Sequence, residues 1–153
     1  VDMTYQELRQ SLPAVESLNT FLSSHQVAIA QLAIQYCDAM IGTAGSPGPN
    51  LATLFPSFNW NNGSEFSSNR DNFVNPLIDR IMGTNIGSQP VRAEVYEELA
   101  SFQDPTTAVN ADGESLDRPD NLVDRLISGG SDTRSIGKGV CAAMLGNAVT
   151  LVQ

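Results

Sequence analysis

From Ser17 to Cys37 the chain carries no aspartate, glutamate, lysine or arginine. Most of that silence falls on Ser23 to Ile41, which has the marks of a single helix. Ser23 with Gln26 three residues on has the form of a capping box, and Gly42 stands where a closing residue with positive φ is needed. Gln31, Gln35 and Asp38 follow i, i+4, i+7 spacing and share one narrow stripe, while the rest of the surface is largely Ala, Ile, Leu, Val, Tyr, Cys and Met. A helix apolar over most of its circumference must be covered by other elements. The segment therefore predicts an all-α fold, an irregular bundle of about five or six helices around a central helix at about 23–41, with two long loops.

The same helix does not suit a bilayer. Its apolar run from Val27 to Ile41 includes Gln31, Gln35 and Asp38 and falls short of the roughly 20 apolar residues that a span needs. At 153 residues the chain suits one domain, large enough to bury roughly two-thirds of its unfolded surface. The net charge is −9, and Lys138 is the sole lysine among eight basic residues. Nucleic acid and anionic lipid would both meet a repulsive field, so neither nucleic-acid binding nor membrane insertion is expected. The chain opens at Val1 without a basic or signal-type apolar segment and reads as a mature or excised portion of a larger secreted protein.

Cys37 and Cys141 lie far apart, each within an apolar helical pattern. They are either two small buried hydrophobes or a disulfide joining the last helix to the central one; the second reading is adopted, and it implies an oxidising compartment. Metal binding is disfavoured, because there is no CxxC pattern and only one histidine.

In chain order, Tyr5 to Gln10 forms a short amphipathic helix opened by Asp2 or Thr4 and ended by Pro13, and Ala14 to Leu22 a further turn of helix. A turn-rich connector, Thr43 to Asn50, leads to a short helical piece, Leu51 to Phe55, stopped at Pro56. Ser57 to Phe66 is a long irregular loop holding the only tryptophan. Its aromatics either tuck back over the core or offer a stacking surface, with Phe58, Trp60, Asn61 and Asn62 as candidate contacts to a ligand or partner. Ser67 or Ser68 caps a helix running to Gly83 that either begins at Pro76 or is kinked there. Ser88-Gln89-Pro90 opens a helix with Val91, Val95, Leu99 and Phe102 on one face and Glu94, Glu97 and Glu98 outward. Asp104 to Pro119 is the second long loop. Asp120 then caps a short helix closed by Gly129-Gly130, and Ser131 starts the last helix, whose Gly137, Gly139, Ala142 and Ala143 leave room for close approach to the central helix.

Motifs with chemistry are few. Asn110, Asp112 and Glu114 form a calcium candidate in the second loop, but aligning Gly113 with the glycine of an EF-hand puts Ala108 at the first ligand position and Pro119 at the twelfth, where a bidentate glutamate is required. No metal or cofactor is assigned. His25, the sole histidine, has an ordinary place in a first helical turn, and the sequence lacks GxSxG, HExxH, GxxxxGK and GxGxxG. Asn62-Gly63-Ser64 is a glycosylation sequon only in a eukaryotic source.

Leu12-Pro13-Ala14-Val15-Glu16-Ser17, Phe21 to Gln26, Gln31-Leu32-Ala33 and Tyr36-Cys37, with the closing Gly139-Val140-Cys141-Ala142-Ala143-Met144-Leu145-Gly146, resemble helical segments of secreted modular proteins from marine-type bacteria that accompany laminin-G-like, concanavalin-type domains. The end segment also looks like the final helix of secreted domains beside cytochrome c modules in planctomycete proteins. The resemblance covers part of the chain, implies secretion and a modular context, and carries over no catalytic residues. The expected function is a non-catalytic structural or protein-interaction module of an exported cell-surface or extracellular protein, an assembly subunit whose partners are other subunits or domains of the same polypeptide. The alternatives are a carbohydrate-associated accessory domain using Trp60 and Phe58 on a glycan, and a hydrolase with dispersed carboxylates.

Overall fold

The computed structural model describes residues 1–9, 23–82, 90–101 and 121–147. Among these it is all-α, with eight helices rather than five or six. They are α1 (Asp2–Leu8), α2 (Ser23–Ile41), α3 (Leu51–Leu54), α4 (Glu65–Ser68), α5 (Asp71–Ile81), α6 (Arg92–Ala100), α7 (Leu122–Ser128) and α8 (Thr133–Gly146). The excess comes from four-residue pieces such as α4, which have no periodicity to read. The segment Ala14 to Leu22 and the calcium candidate Asn110, Asp112 and Glu114 lie outside the described residues.

Helix α2 has the bounds its sequence predicts, and Gly42 closes it at φ +67°. A Cβ there would lie 2.3 Å from the Ser46 carbonyl oxygen, so only glycine fits the tight reversal. Gln31, Gln35 and Asp38 are exposed as the stripe requires. The expectation that α2 is wrapped all round is overturned: Val27, Ile34 and Tyr36 are 58%, 54% and 51% exposed. Helix α2 packs on α8 and α1, while α8 packs on α2, α4, α5 and α7. Helix α2 is thus held mainly along its α8 face, with part of its apolar surface open.

Each later helix starts for a local reason. Asp132 caps α8, its carboxylate accepting from the Arg134 and Ser135 N–H groups at 2.9 Å, one residue past the predicted Ser131. Asn121, not Asp120, caps α7 through the Asp124 N–H. Glu94 reaches back to the Val91 N–H, half of a capping box that opens α6. Ser67 and Ser68 close α4 instead of opening α5, and α5 begins at Asp71 and runs through Pro76. Lacking an N–H, Pro76 cannot serve the Asn72 carbonyl one turn back.

The core gathers Cys37 and Ile41 from α2, Phe73, Val74, Leu77 and Ile78 from α5, and Ile136, Val140, Cys141 and Met144 from α8, all buried. Phe73 has no exposed surface, and burial of such a ring contributes about 1.5–3 kcal/mol. The small residues of α8 serve several neighbours rather than α2 alone. Gly137 seats Trp60 and Ile41, Gly139 seats Leu126 of α7, and Gly146 lies over Ala30 and Ala33 of α2. Ala143 is exposed.

Candidate functional site

Helices α2 and α8 are bolted together in three places. Cys37 and Cys141, both fully buried, form a disulfide with Cα atoms 5.9 Å apart, across 104 residues of sequence. At the carboxyl end of α2, Arg134 donates through Nη1 to the Ile41 carbonyl at 2.8 Å. A cation in the first turn of α8 is poorly placed for its own helix dipole, but as a cap on the last carbonyl of antiparallel α2 it is well placed. Lys138 pairs with Asp38 at 2.6 Å, and because Asp38 is 62% exposed this contact adds little.

The loop after α3 is an aromatic cluster rather than a display surface. Phe58 is 5% exposed, and its ring lies 4.8 Å from Phe66 and 4.7 Å from Trp60. Half-buried Trp60 meets Phe73 edge-on at 5.4 Å and has the Arg134 guanidinium 5.7 Å from its ring. Of the four candidate contacts, Phe58 is thus a core residue, Trp60 is packed into the cluster, Asn62 is held inward by Glu65, and Asn61 is exposed. The polar residues of the loop fold it. Buried Glu65 accepts from the Asn59 N–H at 3.2 Å and from Asn62 Nδ2 at 2.9 Å. Burial works against the charge of Glu65, yet the donors at Asn59, Asn62 and Asn69 hold its carboxyl below the usual range.

A second polar hub was not legible in the sequence. Arg70 is 3% exposed and donates to the Phe66 carbonyl at 2.9 Å, the Ala100 carbonyl at 3.3 Å and the Asp124 carboxylate at 2.7 Å. Asn121 completes the hub, donating to the Ser101 carbonyl and to Asp124. Partial burial opposes ionisation of Asp124, but Arg70 and Asn121 outweigh it and lower its pKa. The available signal was a single arginine in the polar run between Phe66 and Phe73. Nearby, Tyr96 donates its hydroxyl to Asp71, and burial together with that carboxylate pushes its pKa up to about 12.

An open apolar groove of about 650 Å³ runs between α2 and α5. One wall is an α2 stripe, Ile29, Leu32, Tyr36 and Met40. The other is an α5 stripe, Leu77, Arg80 and Ile81; Cys141 and Leu145 of α8 form the floor, and α1 contributes Val1, Asp2 and Tyr5 at the edge. Spacings of i, i+3, i+7 and i+11 on α2 and i, i+3 and i+4 on α5 make each wall a continuous ridge. Arg80 donates to the Pro76 carbonyl and lies over the Phe55 ring, 5.9 Å from its centre. His25 sits half-buried in the first turn of α2 and does not line the groove. Among the described residues no cluster of His, Cys, Asp and Glu is arranged to hold a metal ion, and no helix is long and apolar enough to cross a membrane. Compared with protein-family models, curated proteins and solved structures, the chain matches none.

Proposed function

We propose that the chain is a non-catalytic interaction module of an exported protein, joined to neighbouring subunits or domains through the outer face of α2. The observation that carries this is the pair Val27 and Ile34, more than half exposed and seven residues apart on one helix face, with exposed Gln31 between them. Helix α8 and the disulfide fix that face in place from behind. Apolar side chains held on a rigid surface and rimmed by amides are the usual composition of an association patch. Export is supported by the disulfide, which belongs to oxidising compartments, and by the resemblance of the Tyr36-Cys37 and Gly139 to Gly146 segments to secreted modular proteins.

Sedimentation velocity over a wide concentration range tests this with the native chain and with Val27→Glu/Ile34→Glu. The native chain is expected to self-associate or to bind the remainder of its gene product, and the double variant to do neither while keeping its helical circular dichroism. A native chain that stays monomeric at every concentration and ignores the rest of its own polypeptide refutes the proposal.

A further inference from the structure

The groove lies on the other side of α2 from Val27 and Ile34, and its largely apolar lining carries the Arg80 guanidinium on the α5 wall and the Asp2 carboxylate at the α1 edge. We infer that it is a binding site for a free straight-chain aliphatic carboxylate, with the headgroup on Arg80 and the tail along the Ile29 to Met40 ridge. This goes beyond the module reading and does not depend on it, since the two use different faces of one helix.

Charge is the first observation. In a chain of net charge −9, Arg80 is exposed and has no carboxylate partner among the described residues. Its recorded contacts are the Pro76 carbonyl, which takes one N–H, and the face of Phe55. A guanidinium has five N–H donors in a planar fork, so the remaining donors can take both oxygens of a carboxylate. Position is the second. Met40 and the α3 region are joined, because the turn after Gly42 packs the Gly48 backbone against the Met40 carbonyl three residues before α3 begins. Phe55 follows α3, so Arg80 over Phe55 stands at the Met40 end of the groove. The antiparallel α8 puts Leu145 at the opposite end, where Gly146 lies over Ala30. A ligand thus has one polar end and one apolar end to match.

Length is the third. From Ile29 to Met40 the ridge rises about 16 Å at 1.5 Å per residue, enough for an extended alkyl chain of up to roughly fourteen carbons, since carbon–carbon bonds of about 1.5 Å in a zigzag advance about 1.25 Å each. A volume of about 650 Å³ is within the range of small-molecule sites. Tyr5 and Tyr36, partly exposed at the rim, supply flat apolar surface beside the tail.

Isothermal titration of the full chain with octanoate, decanoate and dodecanoate tests the assignment, with dodecanol and dodecylamine as head-group controls below their aggregation limits. One carboxylate should bind per chain, tightening about fourfold per added methylene up to the groove length, while dodecylamine fails. Arg80→Gln should weaken dodecanoate about tenfold or more and leave dodecanol unchanged. Leu32→Trp, with helical circular dichroism retained, should abolish both. No saturable binding, equal affinity for amine and carboxylate, or indifference to Arg80→Gln each overturns the inference. None of these outcomes bears on the Val27/Ile34 face, whose test is self-association.

Discussion

Opening the bond between Cys37 and Cys141 is the perturbation with the largest magnitude that the structure allows to be worked out. The bond closes a loop of 104 residues in sequence. In the chain-entropy treatment that loop restricts the unfolded ensemble by about 4.7 kcal/mol. A chain of this size typically has 5–15 kcal/mol of stability in total, so the loss is a large share. With an m-value of about 2.5 kcal/mol/M, the urea midpoint should fall by about 2 M. Two preparations separate the causes. Reduction keeps both sulfurs but forces two thiols into a seam where neither cysteine has exposed surface, whereas Cys37→Ala/Cys141→Ala removes both atoms and leaves a small void. Both should show the loop loss, read by urea unfolding followed through tryptophan fluorescence and circular dichroism. A midpoint shift worth less than about 1 kcal/mol in both, or two alkylatable thiols in unreduced protein, would refute the reasoning.

Four other outcomes are expected. Gly137→Ala places a Cβ 2.8 Å from Trp60 Cζ3 and 3.3 Å from Ile41 Cδ1; it should cost about 1–3 kcal/mol and shift the tryptophan emission, whereas a neutral effect on melting would mean the Trp60 ring is not seated on α8. Asp124→Asn removes the charge of the carboxylate that pairs with buried Arg70 and should cost about 2 kcal/mol by thermal melting, less than for a fully enclosed pair because Asp124 is 27% exposed. The lowered pKa values of Asp124, Asp132 and Glu65 stabilise the fold above the ordinary carboxylate range, and that stability is lost as pH falls through their folded values; Asp124→Asn should flatten the acid limb of the melting-temperature profile. Tyr96, held at about 12, keeps its proton while an unfolded tyrosine loses it from pH 10 upward, so stability should fall between those values. Ultraviolet titration should find one late phenol that Tyr96→Phe removes.

Helix class, the limits of α2 and the Gly42 stop were all set by local pattern, because apolar spacing and a residue able to take positive φ act within a few turns of chain. The pairing of Cys37 with Cys141 was half-visible: two cysteines in apolar helical patterns nominate each other, but only folding brings them together. How far α2 is covered was out of reach, since a stretch without charge up to Cys37 reads as buried whether or not a neighbour covers it. Exposure depends on which helices find α8, and α8 offers Gly137, Gly139 and Gly146 to three different partners. Glu65 and Arg70 were equally out of reach, because a charged residue between phenylalanines is solvated or buried according to which carbonyls and amides surround it, and those come from up to 54 residues away. The groove belongs to the same class: its walls are ordinary helix ridges in the sequence, and the opening between α2 and α5 exists only where the packed helices leave a space beside the Arg80 guanidinium.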